Sequence, residues 1–221
     1  MTTSKTPPGP AFTLEEPQLS TKMDIIKVGF TWFAVLPNFW GKEWCERCID
    51  SVDNWNLTDV QAGLYNGWPT GRQKRNIGTF NKHYKDTYYG VSGSWIRLND
   101  AIEKFNEVTY KFNLEEQSSC FLNQYHEGYV LDWHKDNDES VEDLFKRRPS
   151  ARISVSIFLN EDFEGGEFEL QGINKFPAKT GTAIIFPSAQ VHRGCQIRKG
   201  TKYNLTYWSC LLYTSPSPRD S

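Results

Sequence analysis

The second half of this chain is punctuated in a way that leaves few folds open to it. After residue 117, short β-rich runs alternate with turn signals: 118–125, 152–159, 166–170, 181–186, 190–196 and 202–208. Runs of this length, bounded by Gly, Pro, Asn or Ser, read as strands. Several in succession suggest a β-sandwich or barrel. The first half is mixed. A strand pattern over 28–36 ends at Pro37-Asn38, a helix is expected over 40–52, and 58–65 reads as a strand. Residues 66–76, with the basic run Arg72-Gln73-Lys74-Arg75, read as a loop. Over 94–112, Trp95, Leu98, Ile102, Phe105 and Val108 recur at helical spacing behind Ser94, a suitable N-cap. Such a stripe is a core face far more often than a partner-binding face. Residues 1–22, rich in Thr, Ser, Pro and Lys, are expected to be a disordered tail. The fold class is therefore mainly β with supporting helices. One domain is expected over 23–209, with 23–117 as a supporting α/β region and 118–209 as the β core.

Composition narrows the partners. The chain has 221 residues with 38% hydrophobic and 24% charged content, enough for one domain with a substantial core. A formal charge of −2 gives no general reason to expect nucleic acid or an anionic membrane. No signal peptide or membrane-length apolar run is visible, so a cytoplasmic location is expected. Cys45-x-x-Cys48 lies in a helical run without a second pair, and reads as two packing cysteines. Residues 210–220, CLLYTSPSPRD, resemble the one-frame translation of a DNA adapter used for transposase-made sequencing libraries. On that reading 210–221 is a non-native tail.

Chemistry concentrates on few residues. His134-Lys135-Asp136 is a His-x-Asp triplet, and in extended chain residues i and i+2 point the same way. His192 lies on another expected strand, which a closing sheet can bring to the same point. Two His and one carboxylate leave coordination positions open and suit Fe(II) oxygenase chemistry. His83 and His126 read as ordinary polar residues. Ten residues after His192 comes Lys202, which shares a strand face with Asn204, Thr206 and Trp208. If that face is the inner one, the lysine needs an anion.

These pieces, with Asn123-Gln124-Tyr125-x-x-Gly128, Arg152-x-Ser154 through Asn160, residues 163–168 and residues 181–187, occur in the order and spacing of a known family. Residues 118–208 resemble the double-stranded β-helix (jelly-roll, cupin-like) core of Fe(II)/2-oxoglutarate-dependent dioxygenases, most nearly the prolyl 4-hydroxylase branch. The resemblance implies His134, Asp136 and His192 as metal ligands and catalytic centre. It implies Lys202 as partner of the distal carboxylate of 2-oxoglutarate, with Tyr125, Thr206 and Ser154 beside the co-substrate and Trp208 packed beneath it. O2 is the second co-substrate and ascorbate a candidate reductant. The expected reaction is hydroxylation of a C–H bond, with release of succinate and CO2. A protein or peptide side chain such as proline is the first substrate class. A free amino acid or other small molecule is the second, and nucleic-acid demethylation the third. A non-catalytic binding module on the same fold is the alternative of a different kind. Phe158 stands where related animal prolyl hydroxylases carry a Tyr that touches the co-substrate. The basic runs 72–75 and 146–148 read as solvated loops, the second as a possible lid.

Overall fold

The computed structural model describes residues 23–50, 52–61, 64–65, 68–69, 72–80, 93–114, 119–137 and 151–211. Its elements are β1 (Asp24–Val28), β2 (Thr31–Leu36), α1 (Lys42–Asp50), β3 (Val52–Gln61), β4 (Leu64–Tyr65), β5 (Trp68–Pro69), β6 (Arg72–Phe80) and α2 (Gly93–Val108). They continue with β7 (Ser119–His126), β8 (Leu131–His134), β9 (Ala151–Phe158), β10 (Phe163–Gly165), β11 (Phe168–Leu170) and β12 (Asn174–Phe176). The last three are β13 (Ala183–Pro187), β14 (His192–Gly194) and β15 (Ile197–Cys210).

Two antiparallel sheets build the core. The larger runs β1-β2-β13-β9-β15-β7-β6-β3, with β10 also paired to β15; the smaller runs β12-β11-β14-β8. Strands distant in sequence lie side by side, as β2 does with β13 and β7 with β15. This is the expected double-stranded β-helix.

The alternation of β9 and β15 explains why both are buried on two sides. Ile153, Val155 and Ile157, with Leu205 and Tyr207, join the cluster that contains Cys45 and Cys48 of α1 and Leu98, Ile102 and Phe105 of α2. The intervening residues face the smaller sheet. There Phe158 joins Phe33, Phe168, Leu170, Phe176, Ile184 and Phe186 in a second cluster. Cys45 and Cys48 are fully packed, and burial next to Cys48 pushes the Cys45 thiol up to about 12, so the pair is structural.

Several expectations change. The single strand over 28–36 is a hairpin: Gly29, at φ +59°, takes the left-handed conformation and turns the chain between β1 and β2. Val108, counted in the helical stripe, is 56% exposed because α2 ends there. Arg72–Arg75 does not lie in a loop; it opens β6, which pairs with β3. The last strand runs through Cys210, which pairs with Ala151, so the sheet extends one residue past the expected boundary at 209. The basic run 146–148, His83 and the tails 1–22 and 212–221 lie outside the described residues. Among the described residues, no helix is long and apolar enough to cross a membrane.

Candidate active site

The smaller sheet brings the two candidate histidines together directly. His134, the last residue of β8, and His192, the first of β14, are cross-strand partners, with ring centroids 4.2 Å apart. Asp136 lies two residues beyond the end of β8. Its backbone N–H donates to the carbonyl of Ser188 at 3.0 Å, which turns its carboxylate back toward the rings. Nε2 of His134 is 3.7 Å from Oδ1 of Asp136, and Nε2 of His192 is 3.6 Å from Oδ2. These gaps exceed hydrogen-bond length. Three ligand atoms lying within 4.8 Å of one another thus converge on a shared point rather than pairing among themselves.

The other ring nitrogens are occupied. Nδ1 of His134 donates to the carbonyl of Asp132 at 2.7 Å, and Nδ1 of His192 to that of Gln190 at 2.9 Å. With the proton held on Nδ1, each Nε2 presents a lone pair to the common point. Burial, followed by the neighbouring His134, pushes His192 down to about 4, so it stays neutral at ordinary pH. Phe168 and Phe186 pack its ring at centroid distances of 5.4 and 4.7 Å. Two imidazole nitrogens and one carboxylate, with their outer partners already in place, fit a divalent iron with open positions.

The triad opens into a cavity of about 270 Å³ lined by both sheets. Lys202, on β15, projects into it and is only 5% exposed. Its ammonium donates to the carbonyl of Gly166 at 2.7 Å and lies 5.0 Å from the ring centre of Phe158. Among the described residues, no carboxylate comes within ion-pairing distance of it. Burial pushes its pKa down to about 8. The carbonyl of Gly166 can approach because this residue sits at φ +66°; a Cβ there would meet the Phe163 ring at 2.8 Å and Lys202 at 3.3 Å.

Tyr125, directly across from Lys202 in the β7–β15 ladder, lines the cavity, as do Thr206 and Trp208. The Thr206 hydroxyl accepts from the side-chain amides of Asn123 at 3.1 Å and Asn204 at 3.3 Å. Asn204 in turn accepts from Ser156 at 3.1 Å. Ser154 is placed differently from the expectation. It shares a face with Ser156 but lies two residues earlier on β9, and its hydroxyl pairs with that of Ser188 at 2.8 Å instead of lining the cavity. His126 is exposed and meets Thr201, away from the triad. Sequence reasoning gave no role to Ser188, Gln190, Gly166, Ser156 or Asn204. For Ser188 and Gln190 the signal was the Pro187-Ser188-Ala189-Gln190 turn, placed directly before His192, and for Asn204 its place on the strand face of Lys202.

Comparison with known proteins agrees with this geometry. Residues 120–210 match the model of the 2OG-Fe(II) oxygenase superfamily. A PKHD-type hydroxylase of Pseudomonas fluorescens is 27% identical over 103 residues, 44% of this chain and 46% of the relative. Another, from Picosynechococcus, is 41% identical over 97 residues, 41% of each chain. The chain thus spans about half the length of the curated relatives it matches. Among solved structures, the viral collagen prolyl hydroxylase of Paramecium Bursaria Chlorella virus-1, in its 2OG complex, superimposes with a TM-score of 0.59 at 15% identity, covering 81% of this chain and 96% of the other. Residues 120–210, which hold the triad and Lys202, thus match the 2OG-Fe(II) oxygenase superfamily, and the fold around them is similar to that of the viral prolyl hydroxylase.

Proposed function

We propose that this chain is an Fe(II)- and 2-oxoglutarate-dependent dioxygenase that hydroxylates a C–H bond in a protein or peptide side chain, with proline the first candidate. One observation carries the reading: a convergent His, His, carboxylate cluster shares a single cavity with a buried lysine to which no described residue brings a carboxylate within ion-pairing distance. A 2-oxoacid that chelates metal through one end and carries a second carboxylate at the other satisfies both.

Iron, when bound with 2-oxoglutarate, supplies the oxygen chemistry that side chains cannot. The protein's contribution is placement. His134, Asp136 and His192 would hold the metal on one side and leave the cavity side open. Lys202 would pair with the distal carboxylate, its charge sharpened by the low-dielectric surroundings. Thr206, whose two lone pairs already accept amide protons, has its own O–H left to donate toward a bound oxygen. Tyr125 closes the wall beside Lys202, and the aromatic bodies of Tyr129 and Trp208 line the same cavity, limiting the water that enters. The peptide and proline preference is supported by the similar viral collagen prolyl hydroxylase, and hydroxylation more generally by the PKHD-type hydroxylases.

Anaerobic titration with Fe(II) and 2-oxoglutarate tests the site. A visible charge-transfer band should require both additions and vanish in His134→Ala. Proline-containing peptides and free amino acids, incubated with O2 and ascorbate, then test the substrate. A gain of one oxygen atom by mass spectrometry in a peptide supports the proposal. A gain only in a free amino acid moves it to the small-molecule class, and no band from folded protein refutes the site.

A further inference from the structure

The turn over residues 187–191 touches two of the three candidate ligands through different atoms. The Ser188 carbonyl accepts the backbone N–H of Asp136, and the Gln190 carbonyl accepts Nδ1–H of His192. A turn with both duties must itself be held, and this one is held by side chains. The Ser188 hydroxyl, fully buried, pairs with that of Ser154 on β9, while its N–H donates to the carbonyl of Arg152 at 2.9 Å. Gln190 uses its whole amide. Its Oε1 accepts from the Thr31 hydroxyl at 3.0 Å, at the start of β2. Its Nε2 donates to the carbonyls of Gln171 at 3.2 Å and Val191 at 3.0 Å. Its N–H closes the turn on the Pro187 carbonyl at 2.8 Å.

We infer that residues 187–191 form one positioning element for Asp136 and His192, with Gln190 and Ser188 as its positioning residues. The inference rests on the metal-site reading above. The two residues act separately. Gln190 clamps the turn to the β1–β2 hairpin and to the end of β11, and so sets the His192 ring. Ser188 clamps it to β9, and so sets the direction of the Asp136 carboxylate. Neither side chain reaches the metal point.

The test uses Co(II) as the probe on the full chain, with two readouts. The first is the imidazole N–H signals of the metal-free protein by NMR. The second is Co(II) affinity, with the accompanying d–d absorption. Gln190→Ala should lose or broaden the Nδ1–H signal of His192 and keep that of His134. Its Co(II) dissociation constant should rise roughly 10- to 100-fold, the usual range for losing an outer partner of a ligand. Ser188→Ala should weaken Co(II) binding and shift the d–d bands while leaving both imidazole signals in place. Ser154→Ala should match it, and the double variant should be no worse than either, because all three delete the same hydrogen bond. Thr31→Val removes a single bond to Gln190 and serves if Gln190→Ala does not fold; its expected effect has the same direction and is smaller. Wild-type Co(II) affinity together with an intact His192 signal in the Gln190 variant, or in the Thr31 variant if only that folds, overturns the inference. Wild-type protein that binds no Co(II) overturns the metal reading instead, and this inference with it.

Discussion

At the His134–His192 end of the cavity, backbone carbonyls fix two imidazoles whose acceptor nitrogens point inward. At the Lys202 end, one carbonyl and one ring face hold an ammonium that, among the described residues, has no carboxylate within ion-pairing distance. The first end is preorganised: its ligands keep their orientation before anything binds. The second is unfinished: desolvation opposes its charge until an anion arrives. One cavity thus combines a rigid receptor for a cation with an electrostatically strained receptor for an anion, and the two ends should respond to mutation in opposite ways.

The largest effect should come from the rigid end. Asp136→Ala leaves two imidazoles without a countercharge and should abolish the Fe(II)/2-oxoglutarate charge-transfer band and turnover. Near-wild-type metal affinity in that variant would show that the carboxylate is not a ligand. Next is Lys202→Met. Losing a charge-assisted contact worth ~1.5–3 kcal/mol should raise the 2-oxoglutarate dissociation constant roughly 10- to 150-fold. The same change should leave the melting temperature of the ligand-free protein equal or higher, since a desolvated charge has been replaced by an apolar chain. Lower stability in that variant would mean the ammonium is well compensated without ligand.

A smaller effect should appear with pH. Lys202 is depressed from 10.5 to about 8 in the folded protein. Below 8 both states carry its proton and the burial penalty is full; between 8 and 10.5 only the unfolded chain holds it. Its contribution to stability therefore rises with pH across that window. Over the same rise 2-oxoglutarate affinity should fall, since the lysine must be protonated to pair. Denaturant unfolding and binding calorimetry from pH 7 to 9.5, each with Lys202→Met as the reference lacking this titration, check the first and second sign respectively. Smallest is Phe158→Tyr, which restores the hydroxyl that related enzymes place beside the co-substrate. One hydrogen bond of ~1 kcal/mol should tighten 2-oxoglutarate about five-fold. A looser complex would show that the ring face beneath Lys202 leaves no room for the oxygen.

What could be read from the sequence follows from how each feature is encoded. The triad was legible because a His-x-Asp spacing survives translation into an extended segment, and the order of strands then fixes where His192 must come. Lys202 was legible because a cation on an inward strand face is chemically conspicuous. The three- and four-residue strands β8, β10 and β12 were not, since so few residues cannot display a period of two. The hairpin at Gly29 was hidden because apolar residues run on through both its strands. Ser154 lies outside the cavity lining for a subtler reason: its face is legible in the sequence, but how far along β9 the cavity extends depends on the partner sheet. The contacts of Ser188 and Gln190 are mostly made by backbone atoms or to backbone carbonyls, and backbone atoms have no letter in a sequence.

The wall that carries Lys202, Asn204, Thr206 and Trp208 is a single 14-residue strand, β15, flanked by β7 along one edge and by β9 and β10 along the other. Amides bonded into ladders on both sides of a central strand exchange with solvent only when the whole domain opens. Hydrogen exchange should therefore find the slowest amides of the molecule along this wall, well behind those of the edge strand β1. A cavity with one wall of that kind does not adapt by breathing on that side. Any fit to different substrates has to come from the shorter strands of the opposite sheet and from the loops that join them.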